Sequence, residues 1–87
     1  SGDDAGRTMQ TDVYSQTPRD IRAAASLADF WIQRILGRSM SDTDRAAVVA
    51  VMAQEYTIDE LLPDDHIRYV LPAMIEVILM SPDFQWK

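Results

Sequence analysis

The sequence predicts an all-α fold, a small antiparallel bundle of three main helices with short helical turns. Three observations support this fold class. Apolar residues recur at intervals of three and four, which places them on one face of a helix. Each such stretch follows a residue that can cap a helix N-terminus. The 87 residues suffice for one modest core, and short connections between helices favour antiparallel neighbours.

The first main helix is predicted over residues 18–36. Thr17 is a capping residue, Pro18 suits the first helical position, and Asp20 stands three residues after the cap. Gly37 predicts a helix end in the left-handed conformation. The apolar face consists of Ile21, Ala24, Leu27, Ala28, Trp31, Ile32 and Ile35.

The second main helix is predicted over residues 42–55, with Ser41 as its N-cap. Asp42 and Asp44 lie in its first turn, where negative charge is favourable. Its apolar positions are Val48, Val51 and Met52, and the alanines between them permit close approach of a neighbouring helix.

A short turn is predicted after the second helix. Thr57 and Glu60 can cap it, Leu61 and Leu62 are expected to anchor it in the core, and Pro63 ends it.

The third main helix is predicted over residues 65–80, and it carries the clearest apolar face of the chain. Pro72 lies inside this helix, where it removes one backbone hydrogen bond. The sequence therefore predicts a kink near residues 68–71 or two abutting helices. The apolar face consists of Ile67, Val70, Leu71, Met74, Ile75, Ile78 and Leu79.

The C-terminal segment predicts one further helical turn, because Ser81 resembles a cap and Pro82 a first helical position. Phe84 and Trp86 follow as large apolar residues, so they must fold back onto the bundle or contact a partner.

The chain divides into a flexible N-terminal arm, residues 1–16, and a helical bundle domain, residues 17–87. Val13 and Tyr14 of the arm are able to dock on the bundle. The predicted core consists of Leu27, Trp31, Ile35, Val48, Met52, Val70, Met74, Ile75 and Ile78.

Composition excludes several function classes. Fourteen acidic against eight basic residues give a net charge of −6, the wrong sign for binding nucleic acid or an anionic membrane surface. No apolar run approaches the roughly 18 residues of a transmembrane helix. The absence of cysteine excludes disulfides, thiolate zinc sites and cysteine nucleophiles. No cofactor is predicted, and the cellular compartment is left open.

An acidic segment, residues 55–65, runs from the end of the second predicted helix to the start of the third. It contains Glu55, Asp59, Glu60, Asp64 and Asp65 and no basic residue. It predicts either an acidic docking face for a basic partner or a solvated cap region. His66 adjoins it, but the spacing matches neither the HExxH motif nor a calcium loop.

The leading hypothesis is a non-enzymatic helical interaction or accessory module that binds a protein partner, because no coherent catalytic set is visible. The candidate interaction residues are Phe84, Trp86, Glu55, Asp59, Glu60, Asp64 and Asp65. One alternative is an acyl-carrier-like protein with Ser39 as the prosthetic-group site, although Arg38 stands where carrier proteins have aspartate. Another is an acidic inhibitor that mimics nucleic acid.

Two motifs resemble a known family. The sequence Ser81-Pro82-Asp83-Phe84-Gln85 after an apolar helix, and Leu36-Gly37-Arg38-Ser39-Met40-Ser41 upstream, are similar to the C-terminal segment of a large bacterial family catalogued as domain of unknown function eighteen hundred. The resemblance covers about residues 27–86. It implies a C-terminal helical module of a larger bacterial protein, and it implies no catalytic residues.

Overall fold

The structure, a computed structural model, describes residues 13–85 and is predominantly helical. Four helices are defined within this range: α1 (Ala24–Leu36), α2 (Asp42–Ala53), α3 (Asp64–Met80) and α4 (Pro82–Gln85). Residues 13–15 are also helical. Over residues 13–85 the only extended pairing is an isolated antiparallel bridge between Ala23 and Leu61. The predicted all-α class is therefore confirmed.

The start of α1 differs from the prediction, since the helix begins at Ala24 and not at residue 18. Thr17 does not cap it. The Thr17 hydroxyl donates a hydrogen bond to the Val13 carbonyl (2.7 Å) and accepts one from Trp31 Nε1 (2.9 Å). The hydroxyl is thus engaged by a preceding turn and by the core, and it is unable to cap α1.

Residues just before α1 and in its first turn pair with the segment that precedes α3. The Leu62 N–H donates to the Arg22 carbonyl (2.8 Å), and the Ala25 N–H donates to the Ile58 carbonyl (3.1 Å). These long-range bonds satisfy backbone groups that an earlier helix start would have used within the helix.

Gly37 ends α1 as predicted, with φ 74° in the left-handed region and its N–H donating to the Gln33 carbonyl (2.8 Å). A Cβ at Gly37 would meet no atom within 4 Å. We therefore expect Gly37→Ala to lower the free energy of unfolding by about 1 kcal/mol through backbone strain alone. Urea denaturation checks this value, and an unchanged midpoint would contradict it.

Helix α2 starts as predicted and ends two residues early. The Ser41 hydroxyl accepts the Asp44 N–H (3.4 Å), which confirms the N-cap. The helix ends at Ala53 because Gln54 adopts φ 50°, while its N–H still donates to the Ala50 carbonyl (2.9 Å).

Helix α3 continues through Pro72 without a break, so the alternative of two abutting helices is wrong. Proline has no N–H, which deprives the carbonyl of Arg68 of its intrahelical donor. Arg68 is exposed, and water can satisfy that carbonyl. Water at the Arg68 carbonyl would reduce the cost of this proline.

The core lies between α1, α2 and α3. Seven of the nine predicted core residues are buried, and the other two, Ile35 and Ile75, are half-buried against it. The pair Leu61 and Leu62 requires a correction: Leu62 is 1% exposed, but Leu61 is 72% exposed and does not anchor the turn. The further buried apolar residues are Ala24, Ala28, Ile32, Met40, Val49, Ala53, Leu62, Ile67 and Leu71.

Within the described part of the chain, no helix combines the length and apolar character that crossing a membrane requires.

Candidate functional site

A polar cluster joins the α1–α2 connection to α4. Arg38 donates to Oδ1 of Asp83 (3.2 Å) and to the Asp83 carbonyl (2.8 Å). The Ser41 N–H and hydroxyl both donate to Oδ2 of Asp83, at 3.0 and 2.9 Å. We call Arg38, Ser41 and Asp83 the clasp, because they hold the C-terminal turn against the start of α2.

The clasp favours the charged form of Asp83. Hydrogen bonds from the backbone and hydroxyl of Ser41, with smaller contributions from the neighbouring Asp44 and from Arg38, lower the pKa of Asp83 to about 2. An open cleft of about 360 Å³ lies here, lined by Arg38, Ser41, Asp44, Pro82 and Asp83. Both oxygens of the Asp83 carboxylate accept hydrogen bonds from the protein. The clasp therefore connects α4 to the start of α2.

The two motifs that resemble the bacterial family meet in this clasp. Arg38 and Ser41 belong to the upstream motif, and Asp83 belongs to the C-terminal motif. Arg38, Ser41 and Asp83 are thus partners in the fold, and their contacts join the two motifs.

A second polar cluster ties the N-terminal turn to α3. Asp64 accepts hydrogen bonds from the Tyr14 hydroxyl and from Arg22, both at 2.7 Å. The Arg68 guanidinium lies over the Tyr14 ring, 4.3 Å from its centroid. Hydrogen bonding to Arg22, and then to Tyr14, lowers the pKa of Asp64. Val13 and Tyr14 are half-buried against the core, whereas residues 1–12 lie outside the described part.

The acidic segment does not form one uniform face. Asp64 belongs to the second cluster, and Glu60 closes the predicted turn by accepting the Thr57 N–H at 3.3 Å. The side chains of Glu55, Asp59 and Asp65 are exposed. Of the five predicted acids, these three are exposed and make no such hydrogen bond within the described residues, so they are the ones available to a partner.

His66 connects α3 to the end of α2. Its Nε2 lies 2.7 Å from the Met52 carbonyl, which requires a hydrogen on Nε2, and its ring meets the Tyr56 ring edge-on at 4.9 Å. His66 is half-buried in the first turn of α3, and these two contacts give it a structural role. Among residues 13–85, no group of three His, Cys, Asp or Glu side chains is arranged to hold a metal ion.

The remaining candidates are Phe84, Trp86 and Ser39. Phe84 is half-buried in α4, and Trp86 lies outside the described residues. Ser39 is exposed in the connection between α1 and α2, and its carbonyl accepts a hydrogen bond from Arg38 at 3.1 Å. The acyl-carrier and nucleic-acid-mimic hypotheses stay predictions.

The outer face of α3 carries exposed residues that the sequence analysis did not single out. We define this face by Tyr69, Pro72, Ala73, Glu76 and Met80. Tyr69 is 85% and Met80 74% exposed. With Arg68, all of these residues except Met80 line an open groove of about 420 Å³. Tyr69, Ala73, Glu76 and Met80 are separated by four, three and four residues, and this spacing places them on one face of a helix.

Comparisons with known proteins give no relative. No protein-family model, no curated protein and no solved structure matches the chain. The resemblance to the bacterial family therefore stays a prediction based on two short motifs.

Proposed function

We propose that this chain is a non-enzymatic helical interaction module that binds a protein partner through the outer face of α3. One observation carries the proposal: Tyr69 and Met80 expose 85% and 74% of their surface on the same helix face. Leu79, 38% exposed, lies beside Met80.

Large apolar side chains grouped on one exposed face favour association with another surface. Single exposed apolar residues are ordinary, whereas Tyr69 and Met80 lie on one helix face with Ala73 and Glu76 between them. From Tyr69 to Met80 the helix advances by about 16 Å. Tyrosine is also enriched among residues that contribute most to protein–protein binding.

The two polar clusters are less suited to binding a partner than the outer face of α3. In the clasp and around Asp64, the charged groups of Arg38, Asp83, Arg22 and Asp64 hold one another. The outer face of α3 differs from them because its groups point to solvent. Asp65 extends it by one turn before Tyr69, and Glu76 lies within it, so basic residues at the rim of a partner would be favoured.

We also propose that α1 and α2 are antiparallel, as the short connection of residues 37–41 favours. Arg45 donates two hydrogen bonds to the Asp29 carboxylate, from Nε to Oδ1 (2.7 Å) and from Nη2 to Oδ2 (3.0 Å). Asp29 precedes Gly37 by as many residues as Arg45 follows it, which is the relation expected of facing positions in a helical hairpin.

A site-specific photocrosslinker tests the interaction face. Placed at Ala73, it is expected to give an adduct of one defined mass in the native host cell, because Ala73 lies within the proposed contact. The matched control is Ala50, an exposed alanine on α2. The double change Tyr69→Ala and Met80→Ala should reduce the adduct at position 73. Equal crosslinking at both positions, or none at either, would contradict the proposal.

A further inference from the structure

We infer that the outer face of α3 binds a second copy of this chain, with the two α3 helices antiparallel about a two-fold axis at Pro72. This inference rests on the proposed function and names its partner. It is carried by the order of charges along α3, where Arg68 and Glu76 line the same groove.

The charges on either side of Pro72 are self-complementary. Arg68 stands four residues before Pro72 and Glu76 four residues after it, so each lies about 6 Å from it along the helix axis. In an antiparallel pair centred on Pro72, Arg68 of one copy is level with Glu76 of the other. A two-fold axis repeats the contact, which gives two opposite-charge pairs per dimer.

The shape of the face also suits a second copy. Arg68 and Glu76 both line the groove of about 420 Å³ together with Tyr69, Pro72 and Ala73. Small or compact side chains at its centre, Pro72 and Ala73, allow a second helix to approach closely. The Tyr69 side chain, which is 85% exposed, extends beyond them and is placed to pack against the partner's helix.

The Tyr14 contact leaves Arg68 able to pair. The central carbon of the Arg68 guanidinium lies 4.3 Å from the centroid of the Tyr14 ring, and its charge also helps to lower the pKa of Asp64. Its N–H groups make no hydrogen bond to another described residue, so they are available to a carboxylate.

The net charge opposes association. Each copy carries −6, so two copies repel one another at long range. We therefore expect a weak dimer, with a dissociation constant of about 10–100 μM. Salt screens the long-range repulsion more than a close ion pair at an interface.

Sedimentation velocity on the purified chain, over a range of concentrations, tests the pairing with four variants. Arg68→Glu and Glu76→Arg each place like charges opposite one another, and each is expected to weaken dimerisation about tenfold or more. The double variant Arg68→Glu with Glu76→Arg restores opposite charges and should recover the affinity to within about threefold. Glu55→Arg, in the exposed turn that follows α2, makes the same charge change as Glu76→Arg outside the outer face of α3 and should not weaken the dimer.

Circular dichroism of each variant shows whether it is folded. A chain that is monomeric at about 1 mM would overturn the inference, as would a dimer that the double variant does not restore. The crosslink at Ala73 separates this result from the proposed function: an adduct with a different protein, together with a monomeric chain, would sustain the function and overturn self-association.

Discussion

Leu62→Ala is expected to lower the free energy of unfolding by about 2–4 kcal/mol, whereas Leu61→Ala is expected to change it by less than about 0.5 kcal/mol. The two leucines are neighbours, and only their environment differs. Leu62 is 1% exposed and Leu61 is 72% exposed. The first substitution removes buried methyl groups and leaves a cavity in the core, while the second removes atoms that already contact water.

Chemical denaturation of the two variants and the unchanged chain measures this difference directly. The Leu62 N–H bond to the Arg22 carbonyl involves only the backbone, so the alanine variant keeps it. The difference between the variants therefore reports side-chain burial. Equal losses of stability in the two variants would contradict the packing of this segment.

Local signals in the sequence predict several helix ends correctly. Gly37 ends α1, Ser41 caps α2 and Ser81 precedes the last turn, where its hydroxyl accepts the Phe84 N–H at 3.3 Å. Each of these features depends on one side chain and the backbone within a few residues. The information is therefore contained in a short stretch of sequence.

Long-range contacts explain the features that the sequence did not predict. Thr17 has the pattern of a cap, but Trp31 and Val13 engage its hydroxyl. Leu61 and Leu62 are identical as residues, but Leu62, whose N–H bonds to the Arg22 carbonyl 40 positions away, is the one that is buried. No propensity or spacing rule within one segment contains that pairing.

The contacts in the two polar clusters could not be predicted from the sequence either. Arg38 and Asp83 are 45 residues apart, and Tyr14 and Asp64 are 50 apart. The resemblance to the bacterial family drew attention to both motifs of the clasp, but it gave no reason to pair them. The outer face of α3 differs, because helical spacing alone places Tyr69 and Met80 opposite the buried residues.

Asp83→Asn is expected to lower the melting temperature at pH 7 by about 5 °C, because the clasp loses its charged acceptor. The Asp83 carboxylate accepts both Ser41 donors and the Arg38 guanidinium. An amide in this place offers one oxygen instead of two, and its nitrogen would face donors. Asp59→Asn, at an exposed position in the turn before α3, removes the same charge and should leave the melting temperature within about 1 °C.

The pH dependence of stability distinguishes loss of the charge from loss of shape. The pKa of Asp83 is about 2 in the folded chain and 3.8 ordinarily. A carboxyl group with a lowered pKa in the folded state contributes its stability above the ordinary value and loses it as pH falls toward the lower one. Thermal melts between about pH 5 and pH 2 should therefore show a smaller decline for Asp83→Asn than for the unchanged chain or for Asp59→Asn. Parallel declines in all three would mean that the clasp does not stabilise the ionised form of the Asp83 carboxylate.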